Sequence, residues 1–368
     1  MIRDFIKKTD TVFLTAVVIT LLVGILNLYS ASRMEDLSAV PLYVKQIYWA
    51  VLGLSLMLLT MFIDIRFFER WAYIIYLITL FFLVVVLFLG ERTGGATRWF
   101  ALGPISFQPS EFVKLSMIMA LGRYFQKNMP VDGITIKHLF IPAALAAVPT
   151  LLIVKEPDLG SAGLIVLVFA TLLIATKMRP KTAVTVILAG VISMFPAFIF
   201  GWRFLKPYQR QRILTFLWPD TDPLGSGYHI IQSKIAVGSG KIIGKGYMHG
   251  TQSQLRFLPE QHTDFIFSVL AEEWGFIGSM VILILFCVII LRGFYIARSA
   301  RDVFGAVVAA GISIVILWQS FINIGMATGI FPVVGIPLPF LSYGGTSLVT
   351  MLIGVGLLLN IYRRRNIF

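Results

Sequence analysis

The stretch AYIIYLITLFFLVVVLFLG, residues 72–90, contains no charged residue in 19 positions. A bilayer core about 30 Å thick needs about 20 apolar residues per helix, so this run reads as a membrane span. Working outward, similar runs occupy 11–31, 44–63, 110–125, 138–154, 161–176, 182–201, 265–291, 303–329 and 346–362, giving ten helices in all. The composition of the 368-residue chain agrees: 58% hydrophobic, 13% charged and a mean hydropathy of +0.86. A soluble domain is nearer half apolar and a quarter charged, which excludes a soluble globular enzyme and a disordered chain. Long unbroken runs exclude an outer-membrane barrel, whose strands alternate. The expected fold is all-α: one polytopic helical membrane domain over 1–368, with a large outer loop, 202–264, between the seventh and eighth helices.

The net charge of +13 fits membrane topology, with no nucleic acid expected as a partner. Ten spans put both termini on one side. The termini, and the loops and adjoining helix ends on their side, carry seventeen Lys and Arg: Arg3, Lys7, Lys8, Arg66, Arg70, Arg123, Lys127, Lys137, Lys177, Arg179, Lys181, Arg292, Arg298, Arg301, Arg363, Arg364 and Arg365. The short loops of the other face hold Arg33, Arg92, Arg98 and Lys155, and the adjoining helix ends add Lys45 and Lys114. Positive residues stay inside, so both termini are expected in the cytoplasm of a cytoplasmic (inner) membrane protein. The lone Cys287 allows no intrachain disulfide, and no cleavable signal peptide is expected.

Three outer segments carry unusual polarity. In GGATRWFALGPISFQPSEFVK, residues 94–114, Arg98 lies in an outer loop, and Glu111 and Lys114 share a helix face at a spacing of three. They form either an interfacial ion pair or, preferably, the wall of a polar cavity, because charges at membrane depth usually face an interior. In KEPDLGSAG, residues 155–163, Lys155, Glu156 and Asp158 crowd a tight turn. The loop 202–264 contains YQRQR (208–212), DPLGSGYHIIQSKIAVGSGKIIGKG (222–246) and HGTQSQLRFLPEQHTDFIF (249–267). Residues 228–237 have helical spacing and are expected to lie along the membrane surface. Gly244-Lys245 is followed by Gly246, not Ser or Thr, so there is no P-loop, and an ATPase is rejected. Asp264 abuts the eighth helix and is either its N-cap or something more. That helix spans 27 residues, about 40 Å, so it should project or tilt, leaving Glu272 and Glu273 near the outer interface.

No H-E-x-x-H and no S-x-x-K occurs in the chain, so a penicillin-binding-type transpeptidase is excluded. One carboxylate beside His262 and Glu260 suits a general base. Arginines suit phosphate. Together these parts fit group transfer from a phosphorylated donor, whose leaving group needs no general acid. The residues themselves point to an outer-leaflet site for an anionic amphiphile.

The segment NIGMATGIFPVVGIPLPFLSYGGTS, residues 323–347, and the three loop motifs resemble the SEDS family (shape, elongation, division and sporulation), with coverage of essentially the whole chain. HGTQSQL and YQRQR resemble the elongation branch more than the division branch. The resemblance implies a lipid II glycosyltransferase acting outside the cytoplasmic membrane, forming β-1,4 bonds and releasing undecaprenyl pyrophosphate. It places the essential aspartate at Asp264 and further site residues at Glu260, Glu111, Lys114 and Asp158. Arg98, Arg210 and Arg212 are phosphate candidates. A divalent cation, Mg or Mn, suits the phosphate as a counterion, although no ligand cluster marks a tight site, and no organic cofactor is expected. The implied partners are a class B penicillin-binding protein and the elongation machinery. A lipid II flippase and a non-catalytic scaffold are the alternatives. The charged candidates lie mostly on the outer side, which favours the polymerase.

Overall fold

The computed structural model describes residues 9–32, 40–93, 96–102, 105–130, 132–218, 226–255, 257–258 and 260–365. Arg3, Lys7, Lys8, Arg33 and Arg256 lie outside the described residues, as does the side chain of Arg92. All ten expected runs fall on helices: α1 Thr11–Ser32, α2 Leu42–Phe62, α3 Ile65–Leu89, α4 Pro109–Asn128, α5 Phe140–Lys155, α6 Leu159–Ala175, α7 Pro180–Phe204, α11 Ile266–Arg298, α12 Val303–Thr328 and α13 Gly345–Arg364. Seven of the described helices are long and apolar enough to cross a membrane: α1, α2, α3, α5 with the 3-10 turn before it, α11, α12 and α13. Ten crossings therefore remain the expectation, while a multi-pass helical fold is the finding.

Polar caps move several boundaries. Asp64 accepts from the Arg66 backbone nitrogen at 2.8 Å, so α3 begins at Ile65, seven residues before the uncharged run. Arg66 and Arg70 therefore sit in its first turns, at a helix end. The segment around Arg98, expected as a loop, forms an antiparallel meander of β1 Glu91–Thr93, β2 Ala96–Leu102 and β3 Ile105–Phe107. Thr93 pairs with Ala96 and Leu102 with Ile105.

The region 202–264 is not an open loop. It contains α8 Pro207–Leu217, α9 Ser226–Ser239 and the single turn α10 Thr251–Gln254. Helix α9 confirms the helical spacing of 228–237, but it packs on α11 and α12 and does not lie free on the membrane surface. Ser233, fully buried, donates to the Ala327 carbonyl at 2.6 Å and pairs with Ser268 Oγ at 2.7 Å. The hydroxyls satisfy one another where the apolar faces meet.

Helix α11 resolves its excess length by breaking, not by projecting or tilting as one rod. Gly275 has φ 66° and ψ −160°, a conformation open to glycine. The segment 241–246 fills the gap. Lys245 N and Gly246 N donate to the carbonyls of Glu272 and Glu273, each at 3.0 Å. Phe276 N and Ile277 N donate to the carbonyls of Lys241 and Ile242, at 2.9 and 3.1 Å. Main-chain groups released by the break are thus re-paired, as a low-dielectric setting demands.

The break also assigns Glu272. Its carboxylate, with no exposed surface, accepts from Lys245 Nζ (2.6 Å), Thr251 Oγ1 (3.2 Å) and the backbone nitrogens of Gln252 and Ser253 (3.0 and 3.3 Å). It staples α10 to α11. Glu273 accepts from Ser30 Oγ on α1.

Candidate active site

Asp264 precedes α11, yet it does not cap it. The N-cap residue is Phe265, and no side chain makes a capping hydrogen bond there. The main chain around Asp264 is held by the 323–347 segment instead. Asn323 Nδ2 donates to the carbonyls of Asp264 (3.1 Å) and Ile336 (2.8 Å). Ser342 Oγ donates to Thr263 O at 2.6 Å, and Tyr343 N donates to His262 O at 2.9 Å. The segment returns from α12 as a shelf beneath residues 262–264, and Gly335 leaves room beside Asp264 Oδ2.

Asp264 lines a cavity of about 140 Å³ with Arg212, Thr215, His229, Ile230, Glu260, Phe265 and Val333. Burial, then the charge of Glu260, pushes its carboxyl up to about 6; Arg212 and Arg98 oppose the rise, and Asp158 adds to it. A base ionised at neutral pH yet near its own pKa is well matched to proton transfer. Glu260 reaches the same cavity from a left-handed backbone position, φ 50°, of the kind that clusters at functional sites.

The expected site residues divide. Arg212 lines the cavity and donates to the Val333 carbonyl at 3.3 Å. Arg210 points elsewhere and donates to the Arg203 carbonyl at 2.9 Å. His262 is not among the cavity-lining residues; its Nε2 is 3.9 Å from Glu260 Oε2 and its ring meets Tyr343 edge to face.

Asp158 caps α6, accepting from Ser161 N (3.1 Å) and Ser161 Oγ (2.9 Å), with Arg98 Nε 3.7 Å away. Arg98 Nη2 and Gln209 Nε2 both donate to the Pro157 carbonyl, at 3.1 and 3.4 Å. The meander and α8 thereby clamp the 156–158 turn. Arg98 and Asp158 reach Asp264 through their charges.

Glu111 and Lys114 form a buried ion pair at 2.7 Å on α4. Lys114 lines a separate pocket with Ile312, Val315, Thr350 and Gly354, between α4, α12 and α13. The pair faces an interior, as expected of charges at membrane depth, but the structure does not bring it to the Asp264 cavity.

Two residues carry signals that the sequence reading left unassigned. Glu156 is 1% exposed and neither carboxyl oxygen has a hydrogen-bond partner. Burial, then the neighbouring charge of Asp158, pushes it up to about 8, against the pull of Arg98. Only its place beside Asp158 in KEPDLGSAG could have flagged it. His229 lines the cavity from α9, and no sequence pattern separated it from the apolar spacing around it. For a metal, no group of three or more His, Cys, Asp or Glu among the described residues is arranged to hold an ion.

The profile for FtsW, RodA and SpoVE, described as "Cell cycle protein", matches residues 10–367. The peptidoglycan glycosyltransferase MrdB of Escherichia coli K12 is 41% identical over 98% of this chain and 96% of its own. The peptidoglycan glycosyltransferase RodA of Treponema pallidum is 33% identical over 93% of this chain and 95% of its own. A solved chain from work on structural coordination of polymerization and crosslinking by a peptidoglycan synthase complex superposes with a TM-score of 0.81 at 33% identity, covering 97% of this chain and 98% of its own. The rod shape determining protein RodA of Thermus thermophilus superposes with a TM-score of 0.71 at 27% identity, covering 98% of each chain. With the family profile matched over residues 10–367 and these relatives covering nearly the whole of it, the chain belongs to the FtsW/RodA/SpoVE family.

Proposed function

We infer that the chain is a peptidoglycan glycosyltransferase. It polymerises lipid II into β-1,4 glycan at the outer face of the cytoplasmic membrane, releases undecaprenyl pyrophosphate, and serves elongation and cell shape. One observation carries the reading: a cavity joins Asp264, its carboxyl tuned to about 6, with Arg212, in a chain 41% identical to a named peptidoglycan glycosyltransferase.

The acceptor hydroxyl gives its proton to the Asp264 carboxylate as its oxygen attacks the donor's anomeric carbon. The bond from that carbon to the diphosphate oxygen breaks, and the electron pair leaves with the diphosphate. Arg212, supported by Arg98, stabilises the departing charge, and no general acid is needed. Among the described residues no three His, Cys, Asp or Glu gather as a tight cation site, so a divalent cation would serve here as a counterion of the diphosphate.

For the partner we propose a class B penicillin-binding protein, because this chain lacks S-x-x-K and strands need crosslinks. An apolar groove between α11 and α12, lined by Phe286, Ile290, Phe294, Phe321, Gly325 and Phe331, suits a single membrane helix packing by small and apolar side chains.

The decisive experiment is polymerisation of lipid II by the purified chain in lipid, with and without the partner, whose transpeptidase serine is mutated. Glycan made by the wild-type chain supports the assignment, and its absence under both conditions overturns it. Topology is tested separately: a cysteine at Ser226 should react with an impermeant thiol reagent in intact cells, and one at Asn128 should not.

A further inference from the structure

The Asp264 cavity has a side that the reaction as written leaves unused. His229, on α9, lines it and is half-buried. Its ring lies parallel to that of Phe265, with 3° between the ring planes and centroids 6.5 Å apart. Phe265 is the residue next to Asp264, and both line the cavity that His229 borders. Among the described residues the His229 side chain makes no hydrogen bond, although its ring borders open space.

The cavity is therefore two-sided. Arg212, Glu260 and Asp264 bring charge, while half-buried His229 brings an aromatic face, with the Phe265 ring buried in the wall. A pyranose has the matching character, with a C–H face for stacking and a rim of hydroxyls. A diphosphate does not, and it belongs with the arginines.

We propose that His229 is a positioning residue for the acceptor sugar, holding a hydroxyl next to the one that Asp264 deprotonates. Burial, first, and the charge of Arg212 lower the imidazole's affinity for a proton, while Glu260 works the other way. Kept neutral, the ring offers one donor and one acceptor nitrogen. It also adds no second cation that would pin the Asp264 carboxylate as an ion pair and weaken it as a base. The proposal rests on the glycosyltransferase reading above and goes beyond it by naming the face of the cavity that the acceptor occupies.

The test uses the full chain in lipid. A lipid II analogue lacking the 4-hydroxyl acts only as donor, and one with a non-cleavable phosphonate at the anomeric carbon only as acceptor, so coupling the two at varied acceptor concentration reads the acceptor KM. His229→Phe keeps a flat ring and loses both polar nitrogens. Loss of one neutral hydrogen bond predicts an acceptor KM raised about tenfold. The donor KM and the acid limb of the pH–rate profile near Asp264's value should be unchanged. His229→Gln, which can donate and accept, should recover most of the loss. If the Phe variant is not recovered folded, His229→Met serves, with the same expectation.

An acceptor KM unchanged in the folded apolar variant, or donor and acceptor KM raised together, overturns the proposal. Failure of the wild-type chain to make any glycan overturns the glycosyltransferase reading itself, so the two failures are distinct.

Discussion

Asn323 Nδ2 donates at 3.1 Å to the main-chain carbonyl of Asp264, a residue 59 positions earlier in the chain. The same nitrogen holds Ile336 O at 2.8 Å, so one fully buried amide ties the 323–347 shelf to the peptide that carries the base. Asn323→Ala leaves two carbonyls, one buried and one part-buried, without this donor. The expected loss is about 1–3 kcal/mol of stability, read as a lower melting temperature. Glycan synthesis should fall further than the loss of folded protein explains, because Asp264 also loses its support. Full activity in a folded Asn323→Ala variant would detach the shelf from the chemistry.

Asp264 makes a prediction with a definite sign in pH. Its carboxyl rises from 3.8 to about 6 because burial opposes the charged form. The base must be ionised to work, so turnover should climb as pH rises through about 6. Stability runs the other way: the fold favours the protonated form, so stability falls as pH rises between 3.8 and about 6. Asp264→Asn should cut polymerisation by about 10²–10⁴ while melting no lower than the wild type at pH 8. Since Phe265 occupies the cap position without a side-chain bond, no helix cap is lost in this variant. An unchanged rate would remove Asp264 from the mechanism.

Much of this was legible in the sequence, for reasons that also explain the rest. The spans announce themselves because lipid exposure demands unbroken apolar runs, as in 72–90. Asp264 was found by its motif, not by its spacing, and the cap reading failed only when the geometry of Phe265 was seen. The meander at 91–107 was missed, although Gly94-Gly95 and Gly103-Pro104 stand between its strands and such dipeptides mark hairpins. Arg210 and Arg212 could not be separated, because which face of α8 meets the cavity depends on tertiary packing. The same holds for Lys114, whose helix turns it toward α12 and α13 and away from Asp264.

Those arginines now give unequal expectations. Arg212 lines the cavity and braces Val333 O. Lysine cannot supply a planar fork to both a backbone carbonyl and a diphosphate. Arg212→Lys should therefore lower kcat/KM by about tenfold or more, the scale of one charge-assisted hydrogen bond. Arg210→Lys, whose partner is the Arg203 carbonyl, should change it much less. Equal losses in steady-state polymerisation kinetics would contradict this division.

Glu156 should hold its proton at neutral pH, since burial and Asp158 push it up to about 8. The folded chain then binds one proton more than the unfolded chain from about 4.5 to about 8, and stability falls as pH rises across that window. Glu156→Gln copies the neutral acid in size and polarity. It should leave activity at pH 7 close to normal and flatten the pH dependence of the melting temperature. An identical pH slope in wild type and Glu156→Gln would mean that Glu156 is ionised in the fold.

The break in α11 offers the last test, because two glycines make it possible. Gly275 and Gly244 both have positive φ, 66° and 88°. A Cβ on Gly275 would run into Gly244 N, and one on Gly244 would run into Glu273 O. Neither obstacle is a side chain that can swing away. Gly275→Ala therefore combines backbone strain of about 1–3 kcal/mol with displacement of the four main-chain hydrogen bonds that knit 241–246 into the helix. We expect a clear loss of thermal stability and faster hydrogen exchange at the amides of Lys245, Gly246, Phe276 and Ile277. Glu272→Gln removes only the charged half of the staple to Lys245. It should destabilise less, with exchange rising at Gln252 and Ser253, whose amides it holds, before the splice itself opens. If Gly275→Ala protects those four amides as well as the wild type does, the splice accepts a side chain at 275 and the glycine is not what makes the break possible.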